Sequence, residues 1–264
     1  GPTGRLKKMT LEENVRIPKK VDYLVSDTAV KSNAAILELY ENDFSVHFLT
    51  KLLSAGNLGV KKDRKLVPTR WSITAVDDNV SKYLVNGFVK EYSVLDCAKL
   101  FHSVYSDNHF WVLLVPRPWS FEMLEGWLPG SPWTSMDPEY EKNKNFNIIS
   151  DFEFYSGRTN YADSITGAYY SARLALAEYL VNQKKQAAAI VFREIGAGYV
   201  SPLGVWVIRE TVRNALSQKP LEFSNYALAL DYLKERLKVP FLNYQKKSVL
   251  LDEFKSQKRL ADFS

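Results

Sequence analysis

Five cations and a tryptophan crowd the stretch "KKDRKLVPTRW". Lys61, Lys62, Arg64, Lys65 and Arg70 stand against the single acid Asp63, and Trp71 follows at once. These residues carry a net +4 while the whole 264-residue chain carries +5, so the excess charge is local. Such a loop can track a phosphate backbone with its cations and stack its ring on a base or sugar, each stacked base contributing roughly 1–3 kcal/mol. A solvated charged loop without a partner has the same composition. Farther along, Trp206, Arg209 and Arg213 fall at i, i+3 and i+7 of "WVIRETVR", a spacing that on a helix shares one stripe. Guanidinium forks there suit a phosphate, or equally Glu194 or Glu210 in an internal salt-bridge network. Arg193 closes the apolar run "AAAIVFREI", at the kind of strand end beyond which α/β proteins hold ligands.

A second constellation is acidic. Asp77 and Asp78 follow the strand-like "WSITAV", and Asp151 and Glu153 lie two apart in another alternating run, which points them to one face. Carboxylates meeting at strand ends could hold Mg²⁺ for phosphodiester hydrolysis. The same acids are equally suited to capping a helix start, as Asp78 would, or to an exposed strand face. Cys97 is the only cysteine, and His47, His102 and His109 are not spaced as a ligand set, so this chain offers no structural zinc site and no disulfide. "GAGYVSPLG" lacks the spacing of either phosphate-binding glycine loop, and neither GxSxG nor HExxH occurs.

The chain ends in "QKRLADFS", where Gln257, Leu260 and Phe263 recur every three residues. A single 3₁₀ turn would present the amide and both apolar groups on one side, the arrangement of a short peptide docking in a hydrophobic groove. A last turn folding back onto the core has the same spacing.

These groups need a scaffold, and the composition allows one: 46% hydrophobic, 25% charged and 13% aromatic residues. The periodicities predict a strand at "VDYLVSD", a helix at "TAVKSNAAILELYEND" and a short strand with a helical turn at "VHFLTKLLSAGNLG". They predict a strand at "WSITAV" followed by a helix capped by Asp78 and carrying Val80, Leu84 and Phe88. "SVLDCAKLFHSVY" fits a helix with Cys97 in the core, "HFWVLLV" a central strand and "NFNIISDFEFYSG" a longer one. Between these two strands "PRPWSFEMLEGWLPGSPWTSMDPEY" is expected to be a packed loop, since a linker would not carry Trp119, Trp127 and Trp133. Ile165, Tyr169, Ala172, Leu176 and Tyr179 mark a helix, and "AAAIVFREI" marks a buried strand. Ser201 and Pro202 start another helix, Tyr226 to Leu237 forms one stopped by Pro240, and Leu250, Leu251 and Phe254 belong to a last. The expected fold is α/β, with α+β as its neighbour: a central mixed sheet flanked by helices in one domain over residues 1–244. A short helix and exposed tail follow at 245–264. No run of about 18 apolar residues and no signal-peptide core appears, which points to a cytosolic protein. The opening "GPTGRLKKMT" has no initiator Met, so residues upstream are expected to belong to the natural protein.

"RKLVPTRWSITAVDD", "LLSAGNLG", "TGAYYSARLALAEYL" and "REIGAGYVSPLGVWVIRETVRNAL" together resemble the archaeal Nre family of DNA repair proteins, over essentially the whole chain. The tail resembles the sliding-clamp motif of the family's NreA branch, Q-x-x-h-x-x-a-a, with Ser264 where the second aromatic would stand. The resemblance implies a DNA repair factor that binds the PCNA clamp through Gln257, Leu260 and Phe263, works beside excision-repair proteins and is found with the archaeal nucleoid in the cytoplasm. Family members carry a cysteine zinc cluster near an N-terminus longer than this one. No cofactor is expected in this chain itself, apart from Mg²⁺ if it is a nuclease. The family supplies no catalytic residues to transfer, which leaves open a repair factor without catalysis, a metal-dependent nuclease or phosphodiesterase acting on damaged DNA, and a protein adaptor.

Overall fold

In a computed structural model of the protein, residues 16–131, 146–201 and 203–256 are described. Four α-helices come first among the described residues: α1 (Lys19–Ser26), α2 (Ser32–Glu41), α3 (Val46–Ser54) and α4 (Thr69–Gly87). Strands β1 (Ala98–Tyr105), β2 (Asn108–Val115), β3 (Ser120–Trp127) and β4 (Ile148–Glu153) precede the long helix α5 (Gly167–Gln183). Strand β5 (Ala188–Ile195), helix α6 (Trp206–Ser217), strand β6 (Leu221–Phe223) and helices α7 (Tyr226–Lys234), α8 (Phe241–Gln245) and α9 (Val249–Ser256) complete it.

The six strands form one sheet in the order β4-β3-β5-β2-β1-β6. It is mixed, as expected: β3 and β5 run parallel, and the other neighbours are antiparallel. Helices cover both faces. One face joins α1 to α6 in a core that includes Phe101, Phe110, Phe121 and Val191, and the other packs Leu100, Leu113 and Ile190 against α7 to α9. Because both faces are dry, the central strands are continuous runs of buried residues; every residue of β5 is buried.

The sequence-based expectations fail where burial is polar or two-sided. Val21 to Asp27 is the helix α1, begun after Pro18 and burying Val21 and Leu24 one turn apart, not a strand. The short strand expected before Leu52 is part of α3, whose start is capped by Ser45 accepting from the Phe48 N–H. "WSITAV" is the start of α4, so Asp77 and Asp78 sit mid-helix and Asp78 caps nothing. The buried stripe of α4 includes Ser72, Asp77 and Ser81, and these polar positions break the apolar period that would have revealed the helix. Cys97 is half-buried ahead of β1, and the segment after it is a strand because Ala98 and Leu100 serve one core and Phe101 the other. β3 replaces the expected loop: seven of its eight residues are buried, among them Glu122 and Glu125. Residues 132–140 of that stretch, with Trp133, lie outside the described residues. α6 begins at Trp206 after Val205, one turn later than Ser201 would place it, and Pro202 is outside the described residues.

Both buried acids of β3 have partners. Glu122 accepts from Ser248 Oγ and from the Val249 and Leu250 N–H groups, so a strand side chain caps α9 across the interface. Burial outweighs these donors and pushes the Glu122 carboxyl up to about 6. Glu125 takes Arg193 Nη1 at 2.7 Å. At the β1–β2 turn Ser106 and Asp107 both have positive φ, the form a two-residue hairpin needs. Asp107 accepts from the Gly196 N–H through its carbonyl and from the Gly198 N–H through its carboxylate. The glycine-rich loop after β5 thus holds Asp107 on two of its amides, one on the backbone carbonyl and one on the carboxylate.

Candidate nucleic-acid interface

The residues marked by the sequence separate into two groups. Lys61, Lys62 and Lys65 are exposed on and just after a single 3₁₀ turn, and Arg70 and Trp71 occupy the exposed first turn of α4. None of these four cations has an ion-pair partner among the described residues, and Trp71 is 61% exposed with the Arg70 guanidinium 5.8 Å from its ring centre. Arg64 instead faces inward: its guanidinium donates to the carbonyls of Gly59, Val25 and Asp27, tying the basic loop to the end of α1.

The remaining basic candidates are held by the fold. Arg209 is completely buried and pairs with Asp77 at 2.5 Å, while Ser171 Oγ donates to the other Asp77 oxygen at 2.6 Å. Burial pushes the Asp77 carboxyl up, and Arg209 and Ser171 oppose it. Arg213 forks onto Glu178 at 2.6 and 2.8 Å and reaches Glu210 at 3.0 Å. Arg193 is buried between Glu125 and Asn108. The Trp206, Arg209, Arg213 stripe is therefore the internal salt-bridge network, with Glu210 in it as one reading of the sequence had it. Glu194 is not part of it; its carboxylate accepts from the Val239 N–H. Trp206 stays partly exposed at the start of α6.

The four acids do not share a site. Asp78 and Glu153 converge, but on the buried guanidinium of Arg173, which also donates to Ser81 Oγ. Asp151 pairs with Arg158 and accepts from the Ser164 and Ile165 N–H groups. Asp77 faces Arg209. No three His, Cys, Asp or Glu side chains are grouped as metal ligands among the described residues. The expected two-strand meeting of carboxylates fails because Asp77 and Asp78 are on a helix, where neighbours point apart, and each acid already faces an arginine.

Beside the basic loop the structure opens a groove of about 510 Å³, lined by Trp71, Thr74, Ala75 and Asp78 of α4 and by Tyr161 and Tyr170 opposite. Tyr161 and Tyr170 lie 5.4 Å apart, tilted by 30°. The loop that carries Tyr161 is firmly set: the Ala162 N–H donates to Tyr170 Oη, and Asp151 holds the next turn. Thr166 ends that loop at φ 60° and ψ −136°, a strained backbone for a residue with a Cβ. Gly167 then lets α5 approach α4, since a Cβ there would lie 2.6 Å from Thr74 Oγ1. Tyr161 and Tyr170 were not among the residues the sequence marked. Their signal is the tyrosine-rich "NYADSITGAYY", of which the helical period assigns only the ring at 169 to the core.

The archaeal Nre N-terminal family matches residues 1–134 and the archaeal Nre C-terminal family matches residues 153–263. The two regions share one sheet, β1 to β3 coming from the first and β5 and β6 from the second. The chain is 37% identical over 250 residues to the DNA repair protein NreA of Haloferax volcanii, covering 95% of this chain and 58% of that protein. It is 39% identical over 251 residues to the DNA repair protein NreB of Archaeoglobus fulgidus (95% and 61%), and 39% identical over 227 residues to NreA of the same organism (86% and 55%). The chain thus spans little more than half the length of these relatives. Both A and B proteins match, so the identities do not assign it to the NreA branch. No solved structure matches the chain. With half of its residues matched by the N-terminal family and most of the rest by the C-terminal one, the chain belongs to the archaeal Nre family.

Proposed function

We propose that this chain is a DNA repair factor that contacts DNA through Lys61, Lys62, Lys65, Arg70 and Trp71. The observation that carries the reading is that these cations are the unneutralised part of the basic candidates, gathered beside an exposed tryptophan, while the other arginines face carboxylates or carbonyls inside the fold. The relatives' names as DNA repair proteins support it. The second element is attachment to the PCNA clamp through Gln257, Leu260 and Phe263, which lie outside the described residues and rest on their spacing alone. Tethering at the clamp raises the local DNA concentration, so weak DNA affinity suffices, and excision-repair proteins acting at the same place are its natural company. The place of action is the nucleoid of an archaeal cytoplasm; no helix among the described residues is long and apolar enough to cross a membrane. The nuclease alternative finds little support in Asp77, Asp78, Asp151 and Glu153, each of which already gives one oxygen to an arginine and the other to a further donor.

The test has two arms. DNA binding measured from 50 to 200 mM salt should weaken steeply, and replacing Lys61, Lys62, Lys65 and Arg70 by alanine should flatten the slope. Binding that is insensitive to salt or to these four changes refutes the DNA contact. A clamp pull-down with Phe263→Ala and with residues 257–264 removed should lose PCNA; retention by either variant refutes the tail assignment.

A further inference from the structure

Charge and shape vary along α4 in an order that fits one kind of occupant. Its N-terminal end carries Arg70 beside the lysine loop. The groove of Trp71, Thr74, Ala75, Tyr161 and Tyr170 follows, with Asp78 at its far wall. Beyond Asp78 a smaller cavity of about 100 Å³ is lined by Lys82, Lys90, Arg158 and Arg173 together with Glu153, a net cationic lining in which Lys82 pairs with Asp78 and Arg158 with Asp151. The pattern is cationic, aromatic with one acid, then cationic again, over a helix of 19 residues, or about 28 Å at 1.5 Å per residue. A phosphate gains little in the middle, where Asp78 takes up Arg173 and Lys82, and more at the lysine loop, whose cations are unpaired among the described residues. An aromatic base has the opposite preference.

The middle also has a feature that reads chemistry. Asp78 sends one oxygen to Arg173 and the other to Lys82, so each oxygen keeps a lone pair, and its side chain is 29% exposed. A carboxylate so placed can accept from the exocyclic amino group of cytosine. Trp71 and Tyr161 are 61% and 49% exposed, offering ring faces that a protein of this size normally covers. A base inside a duplex has both faces occupied by its neighbours, and only an unpaired or extruded base can give one to a side chain.

We infer that the α4 groove takes one unpaired nucleotide of a DNA strand, its base stacked against Trp71 and Tyr161 and its amino edge toward Asp78, with the flanking phosphates at the lysine loop and at Lys90. This rests on the reading of the basic loop as the DNA contact and adds the class of DNA recognised.

The experiment compares three labelled probes by fluorescence anisotropy: an intact duplex, the same duplex with one bulged cytosine, and the single strand. The bulged and single-stranded probes should bind more tightly than the intact duplex. Tyr161→Ala should weaken them by roughly 5- to 150-fold while changing duplex binding by less than twofold, and Trp71→Ala, which also removes a side chain of the DNA contact, should weaken them by more than it weakens the duplex. Binding should quench tryptophan emission, and Trp71→Phe should abolish the quenching while retaining most of the affinity. Both side chains are exposed, so the urea midpoints of these variants should match the parent's, which separates lost stacking from lost folding. Equal affinity for all three probes, or variants that weaken all three alike, overturns the inference and leaves the DNA contact standing. Absence of salt-dependent binding to any probe removes the DNA contact, and the inference with it. A bulged thymine bound as tightly as a bulged cytosine refutes the role of Asp78.

Discussion

Arg209→Met should damage the fold rather than the DNA surface. The guanidinium and the Asp77 carboxylate are both fully buried, with Ser171 on one side and Glu210 and His47 at the edge. Removing the cation leaves Asp77 with one hydroxyl donor, and breaking a buried pair in this way costs about 3–5 kcal/mol. For a domain of this size that loss lowers the melting temperature by roughly 10 °C. Asp77→Leu leaves the guanidinium with Glu210 as its remaining acidic partner at 3.1 Å and with His47 beside it, so its loss should fall at the lower end of that range. Combining Asp77→Leu with Arg209→Met removes both charges and keeps apolar volume, and the double variant should be more stable than either single one. Burial already pushes the Asp77 carboxyl up, and without Arg209 it goes higher. A carboxyl whose folded value is raised contributes most when protonated, so Arg209→Met should lose more stability at pH 8 than at pH 5. Urea unfolding followed by tryptophan emission measures all four proteins, and DNA anisotropy on the folded fraction supplies the second reading. Arg209→Met melting with the parent while binding DNA tenfold more weakly would put the guanidinium on the surface and refute this account. Single losses that simply add in the double variant would deny the pair.

Three further outcomes follow from the same contacts. Glu122 has its folded value raised from an ordinary 4.5 to about 6, so its favourable contribution is present below 4.5 and lost as the pH rises through 6. The stability of the parent relative to Glu122→Gln should therefore fall by about 2 kcal/mol between pH 4 and pH 7, and a flat difference would mean the carboxyl is not desolvated. Thr166→Gly should stabilise by about 1 kcal/mol, because relief of the positive-φ strain exceeds the entropy glycine adds to the unfolded chain; a lower urea midpoint would show that the threonine is at ease there. Gly167→Ala should cost about 1–3 kcal/mol by driving a methyl into Thr74 Oγ1 and Val205, and Thr74→Ala in the same chain should restore part of it. No recovery would locate the clash elsewhere.

What the sequence reveals of this fold depends on whether burial is apolar. β2, β5 and α5 are legible because most of their buried positions are apolar or aromatic, and the buried Asn108, Ser171, Arg173, Arg193 and Glu194 are too few to break the pattern. β3 and α4 are hidden because Glu122, Glu125, Ser72, Asp77 and Ser81 occupy positions where a periodic reading requires apolar residues. Each of these carboxylates is tolerated only through a partner distant in sequence: Arg209 for Asp77, Arg193 for Glu125, the start of α9 for Glu122. The same residues then stand out as candidate sites, since an arginine on a helix face and an acid at an apparent strand end look the same whether they await a ligand or each other. Local charge balance separates the cases. Arg193, Arg209 and Arg213 lie in stretches that contain acids, in a chain whose total is nearly balanced, and each is neutralised within the fold. Lys61, Lys62, Lys65 and Arg70 have only Asp63 nearby and account for most of the net charge, so pairing inside the protein could not neutralise them all. An excess concentrated in ten residues is the one part of the site that composition alone could disclose. Tyr161, which gives the groove its aromatic wall, becomes visible only when α4 and the loop before α5 are set side by side, and only then does Asp78 take its place as the groove's acid and not as a cap or metal ligand.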